Sequence, residues 1–202
     1  MKDILTGLDQ YEVFLQKLEK ELEQIGDDRI IIVYTDIKHF KYINDTYGYK
    51  VGDALLQDFV EEFMGKTDII ICASRVYSDN FVVANRVPPD YYSNEEFRDL
   101  IHKLNQEREA KFRGKYLNSR LQFCTGISVI DKNSRSQDAE TAVPNANLAR
   151  KVAKEMEHDS CVLFDQSMME GIRREVEITS SIPKALAQKE FQVYFQPKID
   201  TE

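Results

Sequence analysis

Apolar residues recur at spacings of three and four from Leu8 through Tyr11, Phe14, Leu15, Leu18 and Leu22 to Ile25, which predicts an amphipathic helix closed near Gly26. The next run, Ile30 to Tyr34, is apolar at every position. A strand apolar on both faces reads as a central one covered by helices on both sides. Residues 36–47 are polar and mixed, and from Asp53 to Met64 a second helical stripe is formed by Ala54, Leu55, Phe59, Val60 and Phe63. Residues 69–76 and 81–87 predict two strands joined in a tight hairpin at Tyr77 to Asn80. Beyond Pro88-Pro89 the pattern predicts a helix over 94–112, a strand over 121–130, a polar loop over 134–143, a helix over 145–157 and a short strand over 161–164. The hairpin demands an antiparallel pair, so the alternation of helices and strands does not build a purely parallel sheet. The fold class is α/β, an α+β sandwich of ferredoxin-like type with a central mixed, largely antiparallel sheet flanked by helices. This first domain is expected to span residues 1–165. A charged stretch over 166–189 reads as a linker helix, and 190–202 reads as the first strand of a second, truncated domain.

The 202 residues carry 27 Lys and Arg against 35 Asp and Glu, a formal charge of −8 with no basic block. That distribution argues against a nucleic-acid partner. Cys72, Cys124 and Cys161 each sit in an apolar run without C-x-x-C spacing, the pattern of buried reduced thiols in a cytoplasmic protein. No apolar run approaches the roughly 18 residues that span a bilayer, so no membrane contact is expected from this segment. His39, His102 and His158 lack metal-ligand spacing.

The segment from Asp36 to Asp53, DIKHFKYINDTYGYKVGD, resembles the signature of the GGDEF family, the diguanylate cyclase domain. There a strand ending in Asp is followed by Phe-Lys, Asn-Asp, Gly and Gly-Asp at this spacing. Three further stretches agree. Asp3 to Leu8, DILTGL, resembles the family's opening; Arg75 to Phe81, RVYSDNF, occupies the R-x-G-G-D-E-F position; and Ala146 to Lys154 resembles its late Ala-x-x-Ala helix ending in Ala-Lys. The resemblance covers about residues 3–165 and implies a nucleotidyl-cyclase fold.

What the resemblance implies chemically is the joining of two GTP molecules by attack of a 3′-hydroxyl on an α-phosphate, with Mg²⁺ held by carboxylates. The implied metal residues are Asp36 and Asp79. The implied nucleotide-binding residues are Phe40, Lys41, Asn44, Asp53 and Lys154, with Asn44 and Asp53 reading the guanine and Lys154 near the phosphates. The hairpin departs from the family pattern. Tyr77 and Ser78 replace two glycines, adding side chains where nucleotide would lie and penalising positive φ. Asn80 replaces Glu and supplies neither negative charge nor a proton acceptor. Lys38 stands where a second Asp is usual and, if strand alternation continued past Asp36, would pair with it. His158 replaces the basic residue expected after Lys154. Asp68 and Ile71 replace the R-x-x-D of the family's product-inhibition site, so feedback by cyclic di-GMP is not expected there. Simpler roles stay open for the same residues: Asn44-Asp45 as a turn, Asp53 as a helix N-cap, Lys154 on a solvated face.

The last residues, Pro183 to Asp200, resemble the opening of an EAL-family cyclic-di-GMP phosphodiesterase, with Gln196 at a substrate position. The expectation is a catalytically impaired GGDEF domain that regulates a downstream EAL phosphodiesterase, with GTP as a ligand and Mg²⁺ as its companion ion. Two alternatives are a low-activity diguanylate cyclase and a nucleotide-independent dimerisation or docking module, the former working across a homodimer.

Overall fold

The computed structural model describes residues 2–64, 68–116, 121–131, 138–156 and 160–194. They form two units, 1–164 and 165–202. In the first, the order is α1 (Tyr11–Leu22), β1 (Arg29–Ile37), α2 (Phe40–Tyr47), α3 (Tyr49–Met64), β2 (Ile70–Tyr77), β3 (Asn80–Val87), α4 (Asn94–Tyr116), β4 (Phe123–Ile130), α5 (Ala139–Glu155) and β5 (Cys161–Leu163). The sheet order is β2-β3-β1-β4-β5, antiparallel throughout except for the parallel β4–β5 pair. The mixed, largely antiparallel sheet flanked by helices is therefore the one the sequence predicts.

Strand β1 is buried at all nine positions because it lies mid-sheet with helices on both faces. Ile32 and Tyr34 pack with Phe14 and Leu18 of α1 and with Ala142, Val143 and Ala146 of α5. On the opposite face, Phe59 of α3 meets Phe81 and Phe123 with ring centroids 5.0 Å apart in each case.

Several boundaries differ from the pattern-based expectation. Helix α1 starts at Tyr11 because Asp9 is held in extended chain, its N–H donating to the Ala73 carbonyl at 3.3 Å; Leu8 consequently packs in the α3 core. Helix α3 begins at Tyr49, immediately after Gly48, whose φ of 87° ends α2. Helix α2 shows only two buried apolar residues, Phe40 and Ile43, too few to register as a stripe. Helix α5 begins before Pro144 because Asp138 caps it, accepting from the Thr141 N–H at 2.7 Å; Pro144, its sixth residue, has no N–H to give the Glu140 carbonyl. All three cysteines are buried free thiols.

In the second unit, α6 (Gln166–Ala187) is capped by Asp165, which accepts from Ser167 N–H at 2.8 Å. No residue of α6 is buried. Residues 190–194 form no strand, for a lone strand has no ladder to join; Gln196 lies outside the described residues. Among the described residues no helix is long and apolar enough to cross a membrane.

Helix α5 lies almost in contact with β4. A Cβ built on Gly126 would overlap the carbonyl oxygen of Ala146 and the amide nitrogen of Arg150, and would meet the Ala149 carbonyl carbon at 2.7 Å. Backbone cannot yield as a flexible side chain does. Gly126→Ala is expected to destabilise the domain by about 3 kcal/mol, measured as a lower urea midpoint at unchanged slope.

Candidate functional site

Three pieces of chain meet at the C-terminal end of β1. The first is Asp36, one residue before the strand ends and paired with Cys124 of β4. The second is the β2–β3 turn, Ser78-Asp79, which the shorter hairpin partner leaves beside the β1 overhang. The Ile37 N–H donates to Asp79 Oδ2 at 3.1 Å and fixes the turn there. The third is α5, whose small residues Ala146, Ala149 and Ala153 are fully buried and let the helix settle on the sheet.

That close approach delivers two cations to Asp36. The Arg150 guanidinium, 5% exposed, donates through Nη1 to Asp36 Oδ2. Lys154 Nζ reaches the same oxygen at 2.6 Å. Arg150 is itself held: Nε and Nη2 donate to Asn147 Oδ1 at 3.0 and 2.8 Å, and its guanidinium lies 5.7 Å from the centre of the Tyr34 ring. A buried carboxylate needs such pairing, since an unpaired charge in the interior is very costly. The sequence reading missed Arg150 altogether and placed Lys154 with phosphates. Lys38, which would have met Asp36 had the strand alternation continued, is not the cation found there: β1 ends at Ile37, and the Lys38 N–H donates to the Gln122 carbonyl at 2.9 Å.

The hairpin carries a second carboxylate under strain. Burial, and then the charge of Asp36, push the Asp79 carboxyl above the ordinary carboxylate value of 3.8. Asn80 Nδ2 approaches Asp79 Oδ1 at 3.5 Å, while Asn80 Oδ1 and Asp36 Oδ1 are buried without a hydrogen-bond partner. Those two orphaned oxygens are the kind of donor a cation uses. The rest of the set does not fit one. Two of the three oxygen-bearing side chains are already neutralised or neutral, Asp36 by Arg150 and Lys154 and Asn80 by its chemistry. Among the described residues no group of three or more His, Cys, Asp or Glu could hold a metal. Mg²⁺ would have to displace two fixed cations.

Ser78 has a φ of 49°, so the turn keeps a left-handed residue although the glycine is gone. Its carbonyl accepts from Arg75 Nε at 2.6 Å, and Arg75 Nη1 lies 3.6 Å from Asp3. Asp3 in turn accepts from the Thr6 N–H at 2.8 Å and the Thr6 hydroxyl at 2.6 Å. The DILTGL and RVYSDNF stretches are thus one connected brace, with Tyr77 exposed beside it.

The residues expected to read guanine, Asn44 and Asp53, lie on α2 and α3. Asn44 rests directly on the Cα of Gly52, where any Cβ would overlap its Oδ1. Asp53 is exposed in the second turn of α3, with no hydrogen bond or ion pair to a described residue. Because α3 starts at Tyr49, Asp53 is not its N-cap. Lys41 is exposed on α2, whereas Phe40 is a core residue packed with Ile37, Leu55 and Phe59. A role for Phe40 in binding nucleotide is therefore restricted to its backbone. The first turn of α2 has no side-chain cap, His39 standing at the N-cap with φ 62°, which leaves N–H donors of the kind that receive anions. His158 lies outside the described residues.

A family model described as diguanylate cyclase, GGDEF domain, matches residues 1–160. An uncharacterised protein of Sinorhizobium fredii is 31% identical over 199 residues, covering 96% of this chain and 23% of its own length. The bifunctional diguanylate cyclase/cyclic di-GMP phosphodiesterase MucR of Pseudomonas aeruginosa is 24% identical over 203 residues, covering 98% of this chain and 28% of its own. The chain thus spans about a quarter of the length of the curated relatives it matches. A sensory box/GGDEF family protein from Caulobacter crescentus has a similar structure, with a TM-score of 0.64 at 26% identity over 76% of this chain and 97% of that one.

The raised Asp79 carboxyl has a definite pH consequence. Its protonated form is the one the fold favours, so its contribution to stability is complete below 3.8 and is lost as pH rises through its higher folded value. Asp79→Asn keeps an acceptor for the Ile37 N–H and removes the charge. It is expected to raise the melting temperature at pH 7, with the margin over the native chain shrinking as pH falls toward 3.8. Equal melting temperatures at pH 7 would contradict the assignment.

Proposed function

We propose, from the membership of this chain in the diguanylate cyclase GGDEF domain family, that it is a catalytically impaired regulatory module of a cyclic-di-GMP signalling protein, binding GTP without cyclising it. One observation carries the reading: the carboxylate at the end of β1 is engaged by Arg150 and Lys154 of its own chain. A cyclase requires that carboxylate for a metal and, by family resemblance, Lys154 for phosphate. Here each consumes the other. The hairpin supports the same reading, since Asn80 contributes no charge and the exposed Tyr77 side chain stands at its rim.

The base-reading end is intact by comparison. The Asn44 amide, seated on Gly52, and the open Asp53 carboxylate offer the acceptors and donor that the edge of guanine complements. Binding would be carried by the base and by the uncapped start of α2, with the triphosphate poorly held. The partner acted upon is proposed to be a downstream EAL phosphodiesterase, as suggested by the resemblance at 183–200 and by the two activities in the name of the Pseudomonas relative. Regulation then requires that GTP-bound and GTP-free forms differ in their affinity for the partner's active and inactive states.

Calorimetric titration with GTP, with ATP as the control and chromatography of the same samples for product, tests this. The expected result is one GTP site, weaker or absent ATP binding, no cyclic di-GMP, and a loss of about tenfold in GTP affinity in Asn44→Ala, the worth of roughly one to two hydrogen bonds. Formation of cyclic di-GMP would overturn the impairment. Absence of any GTP binding would overturn the nucleotide reading and leave a docking or dimerisation module.

A further inference from the structure

On the face of the sheet opposite Asp36, a cavity of about 410 Å³ lies between β1, β3, α3 and α4. Its walls are apolar, with Phe59, Phe63, Phe81, Phe97, Ile101 and Leu104 prominent among them. Space for roughly a dozen water-sized groups fits an alkyl chain better than an ordered water cluster, which would need polar partners along its length. Polar side chains also line it, among them Thr35, Asn85 and Asn105, and Arg108 is the one that carries a charge.

Arg108 is anomalous. It is only 8% exposed, yet it forms no ion pair with any described residue. Of its five N–H donors, one set is used: Nη1 donates to Asn105 Oδ1 at 3.1 Å. Its Nε is buried and donates to nothing. The guanidinium lies 5.6 Å from the centre of the Phe59 ring, a weak substitute for a counter-ion. Burial pulls its pKa down to about 10, with the charge of Glu107 acting the other way. Asn105 is oriented in turn, its Nδ2 donating to Thr125 Oγ1 at 2.9 Å, which shares a hydrogen bond of 3.0 Å with Thr35. The arginine is thus held in place by a buried polar chain, its Nε shut away and its Nη2 without a hydrogen-bond partner among the described residues. Such an arrangement at one end of an apolar cavity matches the chemistry of a single anionic head on a hydrocarbon body.

We propose that this cavity binds a medium-chain fatty acid, its carboxylate on Arg108 and its chain along the phenylalanines of α3 and β3. The site lies on the face of the sheet opposite Asp36, is walled by the same helix α3 that carries Asp53, and needs no metal.

Decanoate is the probe, used below its micellar concentration on the 202-residue chain, with decanol and decylamine as uncharged-headed and cationic controls. The expected result is one calorimetric site for decanoate, a rise in melting temperature on binding, and at least tenfold weaker binding of both controls. Arg108→Met, nearly volume-conserving, is expected to lose at least tenfold in decanoate affinity while binding decanol no worse than the native chain. Failure of the native chain to bind decanoate, or equal affinity for decanoate and decanol, would overturn the proposal. Nuclear Overhauser contacts between decanoate methylene protons and the rings of Phe59, Phe63 and Phe81 provide a test on the native chain, should Arg108→Met not fold. Their presence supports the site, and bound decanoate without them places it elsewhere and overturns the assignment.

Discussion

The approach of α5 to β4 at Gly126 governs the rest of the site. No side chain separates the helix from the strand there, and the facing positions Ala146, Ala149 and Ala153 are fully buried. A helix seated at that depth carries Arg150 and Lys154 to the end of β1, within reach of a carboxylate that is 1% exposed. Had β4 carried even an alanine at 126, the helix would stand off and the long side chains would have a water-filled gap to cross. The packing of small residues and the electrostatics of Asp36 are therefore one feature.

With Asp36 satisfied internally, its neighbours lose the role that a shared cation would give them. Burial, and then the like charge of Asp36, hold the Asp79 carboxyl above its ordinary value. Asn80 presents a neutral oxygen without a partner. The brace from Arg75 to Asp3 nevertheless keeps the hairpin in position, including the left-handed Ser78. The turn is a fixed surface feature, and on the neighbouring helices the Asn44 side chain sits directly against Gly52.

How much of this was legible in the sequence depended on the physical signal. Strand β1 announced itself because burial on both faces leaves an unbroken apolar run, and the hairpin because two apolar runs flank four polar residues. Helix α2 did not, for its two buried residues make too short a stripe, and the early start of α5 was hidden by Pro144. Asp36, Asn44, Asp53 and Lys154 were found by family spacing, but spacing says nothing about which side chains meet. Arg150 was overlooked because a basic residue in a helix normally faces water. Its position told otherwise: 146, 149, 150 and 153 follow the three-four rhythm of a buried face, so a charge in that register needed a partner in the core. Arg108 gave no such signal, since α4 is charged along its length.

The most direct measurement is a double-mutant cycle in urea between Asp36→Ala and Arg150→Met, run with and without saturating MgCl₂. The account predicts a coupling of about 2–3 kcal/mol, as for a buried pair whose separation strands a charge, and the same value with Mg²⁺ present. A coupling below about 0.5 kcal/mol, or one that vanishes when Mg²⁺ is added, would mean that Asp36 is available to a metal and that the internal clamp is not what governs this site.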